Sequence, residues 1–336
     1  MKVIRNLILS LSLLSLTLSY PVNCIQNNNR FVNSKSKTKN IIKNYDYYRK
    51  LDLFKYESEL KEWYKKRTGK DLDLDNPKTF NEKIQWLKLY DSTPLKTKLA
   101  DKYLVREYVK EKIGEEYLVP LLGVWDKFDD IDFNKLPNKF VLKCNHGSGW
   151  NMVVIDKSKF NKSEAKKKFD KWMSTNFAFC NGLELHYKNI EPKIIAEEYL
   201  ENENKDLYDY KVMCFGGIPQ FIGVDRNRFN GHTRDIFDLD WNKIPIEISY
   251  KKSSLDLNKP KNLDEIIELS KKLFEEFCLV RVDFYILNDG SIKFGELTFT
   301  PESGASKFSY EKYDKMLGDK IVLPKEKYDY HNLFKK

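Results

Sequence analysis

The chain has 336 residues, 41% hydrophobic and 14% aromatic, enough for one large unit or two to three smaller ones around a substantial buried core. Charged residues make up 32% and the formal net charge is +9, a balance that favours an anionic partner such as a nucleotide, a phosphate or an acidic glycan. Nucleic acid is not expected: zinc-finger spacing is absent, and the densest basic run, Lys166-Lys167-Lys168 with Lys171, sits beside Phe169 and Trp172 at helical spacing, as on a solvated helix face.

At the N-terminus, Lys2 and Arg5 precede an apolar stretch from Leu7 to Leu18, and Pro21 breaks the segment. This predicts a secretory signal peptide over residues 1–24, ending at Ser19 or Cys24, with an uncleaved anchor as the alternative. The apolar core, about 12 residues, falls short of the roughly 20 that a spanning helix needs. The expected location is therefore the secretory pathway or the extracellular space, with membrane contact only through an uncleaved leader. Residues 25–44, with Asn27-Asn28-Asn29 and Ser34 to Lys39, read as a flexible polar tether. Beyond the leader lie Cys144, Cys180, Cys214 and Cys278; no CxxC pair occurs, so they read as small hydrophobes rather than zinc ligands.

Residues 45–140 have a mainly helical pattern. Leu51, Phe54, Leu60 and Trp63 recur at roughly helical intervals, as do Phe80, Ile84, Leu87 and Tyr90, and Thr79 with Glu82 predicts a capping box. A further helix is expected from about Lys96 to Glu111. From residue 141 to 324 the pattern changes to short strands with two helices, at 163–174 and 263–277. Strands are expected at 140–144, 152–155, 194–199, 209–215, 220–225, 280–287 and 292–298, and residues 325–336 form a tail. The fold class is α+β.

Asp289-Gly290 between two alternating strands predicts a two-residue hairpin loop. Asn288 then faces Ser291, partner numbers sum to 579, Asp283 faces Glu296 and Arg281 faces Thr298, all four on one side with Tyr285 and Phe294. Two carboxylates so placed need compensation, either from Arg281 or from a bound divalent cation such as Mg²⁺. A solvent-facing charge cluster is the competing reading.

Upstream, Lys143 ends an apolar strand and is followed by Asn145-His146-Gly147-Ser148-Gly149. Such glycines let backbone N–H groups approach phosphate oxygens, and a strand-end lysine adds a point charge. The spacing fits neither the Walker pattern nor the dinucleotide fingerprint, and no His-Arg-Asp or Asp-Phe-Gly segment supports a protein kinase. His146 reads as a polar loop residue.

In order, these segments resemble the ATP-grasp superfamily, and within it the TupA-like branch. The resemblance runs from Asn76 to Pro324 through Asn76 to Lys83, Ala100-Asp101-Lys102 with Arg106, Lys143 to Gly149, Glu197 to Leu200, Asp209 to Lys211, and Arg281-Val282-Asp283 with Glu296. It implies an ATP-grasp fold with ATP between central and C-terminal subdomains. By the same resemblance, Lys102 and Lys143 serve ATP phosphates with the Gly147-Ser148-Gly149 loop, and Glu197, Glu198, Tyr199 and Leu200 form the adenine hinge. Lys211 is a basic residue near the phosphates, Arg281 stabilises the transferred phosphoryl group, and Asp283 and Glu296 hold Mg²⁺ (or Mn²⁺). Thr298 stands where many members have Asn, and as a hydroxyl it still offers an oxygen ligand. Arg226, Arg228 and Arg234 are candidates for an acidic substrate.

The implied activity is an ATP-dependent ligase in which a carboxylate takes the γ-phosphoryl group and an amine then captures the acyl phosphate, in cell-surface glycan or glycopeptide synthesis. Alternatives are a glycan phosphotransferase or glycosyltransferase and a non-catalytic nucleotide- or glycan-binding module.

Overall fold

The computed structural model describes residues 47–202, 207–228, 231–275 and 277–335. The expected leader and tether lie outside them.

Four helices open the described chain: α1 (Tyr56–Thr68), α2 (Phe80–Tyr90), α3 (Pro94–Ala100) and α4 (Val105–Lys112). Helix α1 buries Tyr56, Leu60, Trp63 and Tyr64, and stops at Gly69, whose φ of 78° closes the last turn. Helix α2 begins at the expected capping box: Thr79 Oγ1 accepts from Glu82 N–H at 3.2 Å, and Glu82 Oε2 accepts from Thr79 N–H at 2.9 Å. The single helix expected over 96–111 is two. The backbone leaves the helical region at Asp101 (ψ 114°), whose carboxylate accepts from the N–H groups of Tyr103 and Leu104 at 2.8 and 3.2 Å and restarts the chain as α4. That break positions Lys102.

A four-stranded antiparallel sheet follows, built from β1 (Leu121–Trp125), β2 (Phe140–Cys144), β3 (Asn151–Val154) and β4 (Ile194–Glu198), in the order β1-β4-β2-β3. Because β1 precedes residue 141, this sheet draws on both segments separated in sequence. Helix α5 (Lys162–Met173) turns Ala165 and Phe169 inward to a local core with Phe128, Phe140 and Leu142. Its lysines lie on the outer faces, as the spacing predicts.

The larger sheet has five antiparallel strands, β5 (Asp209–Phe215), β6 (Ile218–Arg226), β7 (Thr233–Phe237), β8 (Leu279–Ile286) and β9 (Ile292–Thr298), in the order β7-β6-β5-β8-β9. Strand β7 was not expected. One face of this sheet is apolar, with Val212, Ile222, Val224, Val282 and Phe284 buried, and α6 (Leu263–Lys272) packs on β5 and β6. Helix α7 (Glu311–Asp319) packs on α2. The C-terminal residues dock rather than trail: Tyr330 and Leu333 are buried, and Tyr330 stacks on Tyr56 with ring centroids 5.8 Å apart. All four cysteines of the described chain are free, and among the described residues no helix is long and apolar enough to cross a membrane.

Candidate functional site

The other face of the five-stranded sheet carries charge in cross-strand rows. The register places Thr298, Arg281, Met213 and Phe221 side by side in one row, and Glu296, Asp283, Lys211, Gly223 and Ile236 in the next. A third row runs Tyr285, Asp209, Asp225, Arg234. Period-two alternation turns all of these residues to one side.

The expected pairs of the β8–β9 hairpin are present: Asp283 opposite Glu296 and Arg281 opposite Thr298. They arise by a different route. Leu287 faces Ser291, with Leu287 N–H donating to Ser291 O at 2.9 Å, so the loop is Asn288-Asp289-Gly290, with Gly290 at φ 84°. This three-residue loop moves the pairing by one, and a bulge between Asp283 and Phe284 moves it back. The bulge also corrects one neighbour. Phe294 pairs with Phe284 on the apolar side instead of sharing the carboxylate face.

Arg281 binds this cluster together. Its Nε and Nη2 donate to Asp283 Oδ1 and Oδ2 at 2.6 and 2.7 Å, and Nη2 also reaches Glu296 Oε1 at 3.1 Å and Thr298 Oγ1 at 3.0 Å. Lys211 Nζ donates to Asp283 Oδ2 at 2.6 Å and to Asp209. Arg228 Nη1 reaches Asp209 Oδ2 at 2.9 Å. Arg234 Nη2 bonds Asp225 Oδ2 at 2.8 Å, and its Nη1 bonds Glu302 Oε1 at 2.8 Å. Buried charges are tolerated here because each faces an opposite one. Burial alone would raise the Glu296 carboxyl, but Lys102, Arg281 and Lys211 outweigh it and hold its pKa below the usual value. Arg234 likewise overcomes burial at Asp225 and holds that carboxyl well below its ordinary range.

The second set of expected residues faces this cluster from the smaller sheet. Lys102 Nζ donates to Gly147 O at 2.7 Å and lies 3.7 Å from Glu296 Oε2, so the helix break at Asp101 bridges the glycine loop and the hairpin. Lys143 pairs with Glu197, which also receives Arg106 Nη1 at 3.2 Å. Glu197 is buried, Glu198 exposed, and Tyr199 and Leu200 half-buried at the end of β4. Lys102, Arg106, Lys143, Glu197 and the β9 segment Phe294 to Leu297 line one cleft of about 400 Å³ between the two sheets. In the loop, Ser148 and Gly149 are exposed, and Gly147 is fixed by packing: a Cβ there would come within 2.5 Å of the Trp150 ring. His146 is a correction, buried with its ring nitrogens 3.1 Å from Asn145 Oδ1 and Trp172 O. It fastens the loop to the end of α5.

The three substrate-candidate arginines separate. Arg234 and Arg228 reach the charged face. Arg226 follows Asp225 on β6 and so projects from the opposite face, where it pairs with Asp235 and donates to Leu255 O at 2.9 Å. That placement removes it from the site.

Several contributors were not anticipated. Asp209 lies two residues before Lys211, and strand alternation was the available signal. Asp225 needed the unexpected pairing with β7. Asn81 and Gln85 of α2 clamp the segment after β9: Asn81 Nδ2 donates to Ser306 O at 3.0 Å, Ser306 N–H to Asn81 Oδ1 at 2.9 Å, and Gln85 Nε2 to Gly304 O at 2.7 Å. No local sequence pattern announces such contacts.

The family model described as TupA-like ATPgrasp matches residues 82–322. The chain belongs to that family. Among solved structures this TupA-like chain is similar to a D-alanine--D-alanine ligase from Bacillus anthracis complexed with ATP, at 17% identity and a TM-score of 0.41, covering 67% of this chain and 65% of that one. It is also similar to an L-amino acid ligase from Bacillus licheniformis (15%, TM-score 0.37, covering 59% and 42%) and to an N5-carboxyaminoimidazole synthetase from Staphylococcus aureus (15%, 0.34, covering 60% and 44%). The chain thus spans between 42% and 65% of the length of these three structures. No curated protein matches it.

The donor chemistry of the ATP-grasp site fits a hard cation. Asp283, Glu296 and Thr298 offer oxygen only, as Mg²⁺ prefers, and one or two carboxylates completed by phosphate oxygens is its usual set. Among the described residues no group of three or more His, Cys, Asp or Glu is placed to hold a metal.

Proposed function

We propose that this ATP-grasp chain is an ATP-dependent ligase. The observation that carries the reading is the Arg281 guanidinium, which joins Asp283, Glu296 and Thr298 beside Lys211, with Lys102 reaching the same hairpin from the other sheet. Cations on two sides of one small volume suit phosphoryl transfer, which needs positioning and neutralisation more than a protein nucleophile.

ATP lies in the cleft between the sheets. Lys143, Lys102 and the 147–149 loop take its phosphates, and the end of β4 takes the base. Asp283 and Glu296 hold a divalent cation, with Thr298 as a further oxygen; when bound, it neutralises phosphate charge. A carboxylate oxygen of the acceptor attacks the γ-phosphorus, the bridging P–O bond breaks, and ADP leaves with the bonding pair. Arg281 and Lys211 face the charge spread over the transferred group. An amine nitrogen then attacks the acyl carbon, phosphate leaves with the C–O pair, and the amine gives up a proton.

The apparent leader at residues 1–24 favours an extracytoplasmic setting, in cell-surface glycan or glycopeptide synthesis, and favours phosphoryl transfer to a glycan as the second reading. ADP release that requires both a carboxylate and an amine supports the ligase. Label from γ-³²P-ATP that stays on a glycan overturns it.

A further inference from the structure

A second cleft, of about 410 Å³, opens on the charged face of the five-stranded sheet, on the far side of Arg281 and Asp283 from the first. Lys211 of β5 and Arg281 of β8 line one end, and Arg234 of β7 lies across from them, its Nη1 held by Glu302 Oε1 at 2.8 Å. The rest of its lining is mostly apolar, with Phe80 at the start of α2, Met213, Phe221, Ile236, Ile248 and Pro301; Ser306 and Glu302 are the further polar residues.

The cross-strand rows give this cleft a direction. From β9 towards β6, the first row passes from Thr298 and Arg281 to Met213 and Phe221. The second passes from Glu296, Asp283 and Lys211 to Gly223 and Ile236. In these two rows charge gives way to hydrocarbon over two strands, roughly 10 Å. Gly223 deepens the floor at that transition: the nearest atoms to a Cβ there would be Ile236 Cδ1 at 3.4 Å, Arg234 Cδ at 3.8 Å and Lys211 Cβ at 3.8 Å, ordinary contacts. Arg281 spends Nε and Nη2 on the hairpin, and among the described residues its Nη1 makes no hydrogen bond. An edge of the guanidinium thus remains for an anion arriving from this side.

We infer that the carboxylate substrate is a small acid with a compact apolar body. Its carboxylate meets Arg281 and Lys211, and its body lies over Met213, Gly223 and Phe221. This rests on the ligase reading above and narrows it. A sugar acid would lay hydroxyls against Met213, Phe221 and Ile236, whose side chains offer them no partner, and burying a polar group without a hydrogen bond is unfavourable. An apolar pocket of this kind gains roughly 10–200-fold per methylene that fills it.

The test uses the full chain with ATP, Mg²⁺ and hydroxylamine as the amine, so that acyl transfer is read as hydroxamate. Isovalerate, phenylacetate, leucine and phenylalanine are compared with glucuronate and glutarate. The expected result is a kcat/KM for at least one apolar acid about 100-fold or more above that for glucuronate, in keeping with the gain per methylene. Hydroxamate from glucuronate at an equal or greater rate overturns the apolar assignment and leaves the ligase standing. No hydroxamate from any acid overturns both. A second arm fills the floor. Gly223→Leu is expected to raise KM for the preferred apolar acid about 10-fold or more, with ADP affinity by calorimetry within about twofold of the unsubstituted chain. An unchanged KM overturns the placement of the acid over Gly223.

Discussion

In the four-stranded sheet the charged residues stand at strand ends and in the loop after β2, where Lys143 pairs with Glu197 and Lys102 reaches Gly147. In the five-stranded sheet they stand along the strands, in rows that cross β9, β8, β5 and β6, with Asp209, Lys211, Asp225 and Asp283 buried. The first arrangement leaves backbone N–H groups and half-exposed lysines able to shift around a ligand. The second locks each side chain between two neighbours, so position is fixed before any ligand arrives. Substitutions on the five-stranded face should therefore damage turnover and stability together, and those on the four-stranded side should separate the two.

The largest effect is expected at Arg281. Arg281→Ala removes the one group joining Asp283, Glu296 and Thr298, and a single-turnover assay should show a loss of about 10³-fold, the scale of a lost charge-stabilising donor. Arg281→Lys should rescue little, because a point charge cannot span the bidentate contact to Asp283. A tenfold loss or less would mean that Lys211 alone serves the transferred group.

On the four-stranded side, Gly147→Ala sharpens the contrast. The added methyl would meet Trp150 at 2.5 Å, and overpacking of this kind costs about 1–3 kcal/mol, to be read by urea denaturation. Turnover at saturating ATP should fall by less than for Arg281→Ala. An unchanged denaturation midpoint would show that the loop gives way freely.

A third effect is read by pH. His186 is buried next to Phe299, at the end of β9, and burial, reinforced by Lys96 and Lys88, lowers its pKa to about 3. The folded state then binds fewer protons than the unfolded chain below the ordinary histidine value. This contribution is complete above about pH 6.5 and is lost as pH falls, by at most about 1.4 kcal/mol per unit until about pH 3. Stability measured from pH 7 to 4 should decline less steeply in His186→Phe than in the parent. Equal slopes would place the acid sensitivity elsewhere.

The same contrast explains what could be read from the sequence. Asp283, Glu296, Arg281 and Thr298 were legible because strand alternation and a turn signal carry them, although the expected pairing came from a loop and a bulge whose shifts cancel. The bulge itself left no signal beyond Gly295. Lys102 was legible only through family resemblance; helical periodicity ran straight through it, and the break depends on an Asp101 carboxylate that binds backbone locally. Strand β7 was missed because Thr233 to Phe237 follows a turn-rich, charged stretch that reads as loop. Its absence from the reading put Arg226 and Arg234 together when alternation places them on opposite faces. Asn81 and Gln85 lie some 220 positions from the segment they hold, with separations of 225 and 219, beyond the reach of any local pattern.

The most direct test of the account is Mg²⁺-dependent ATP binding by the hairpin carboxylates. Calorimetry should compare the parent chain, Asp283→Asn with Glu296→Gln, and Glu296→Gln alone. The single variant guards against unfolding, because neutralising Asp283 takes the bidentate partner from Arg281 and one of two carboxylates from the buried Lys211. The prediction is that Mg²⁺ tightens ATP binding in the parent and fails to do so in both variants, while Glu296→Gln retains its circular dichroism spectrum. Folded Glu296→Gln that binds Mg·ATP as tightly as the parent would contradict the assignment of this hairpin as the metal and nucleotide site.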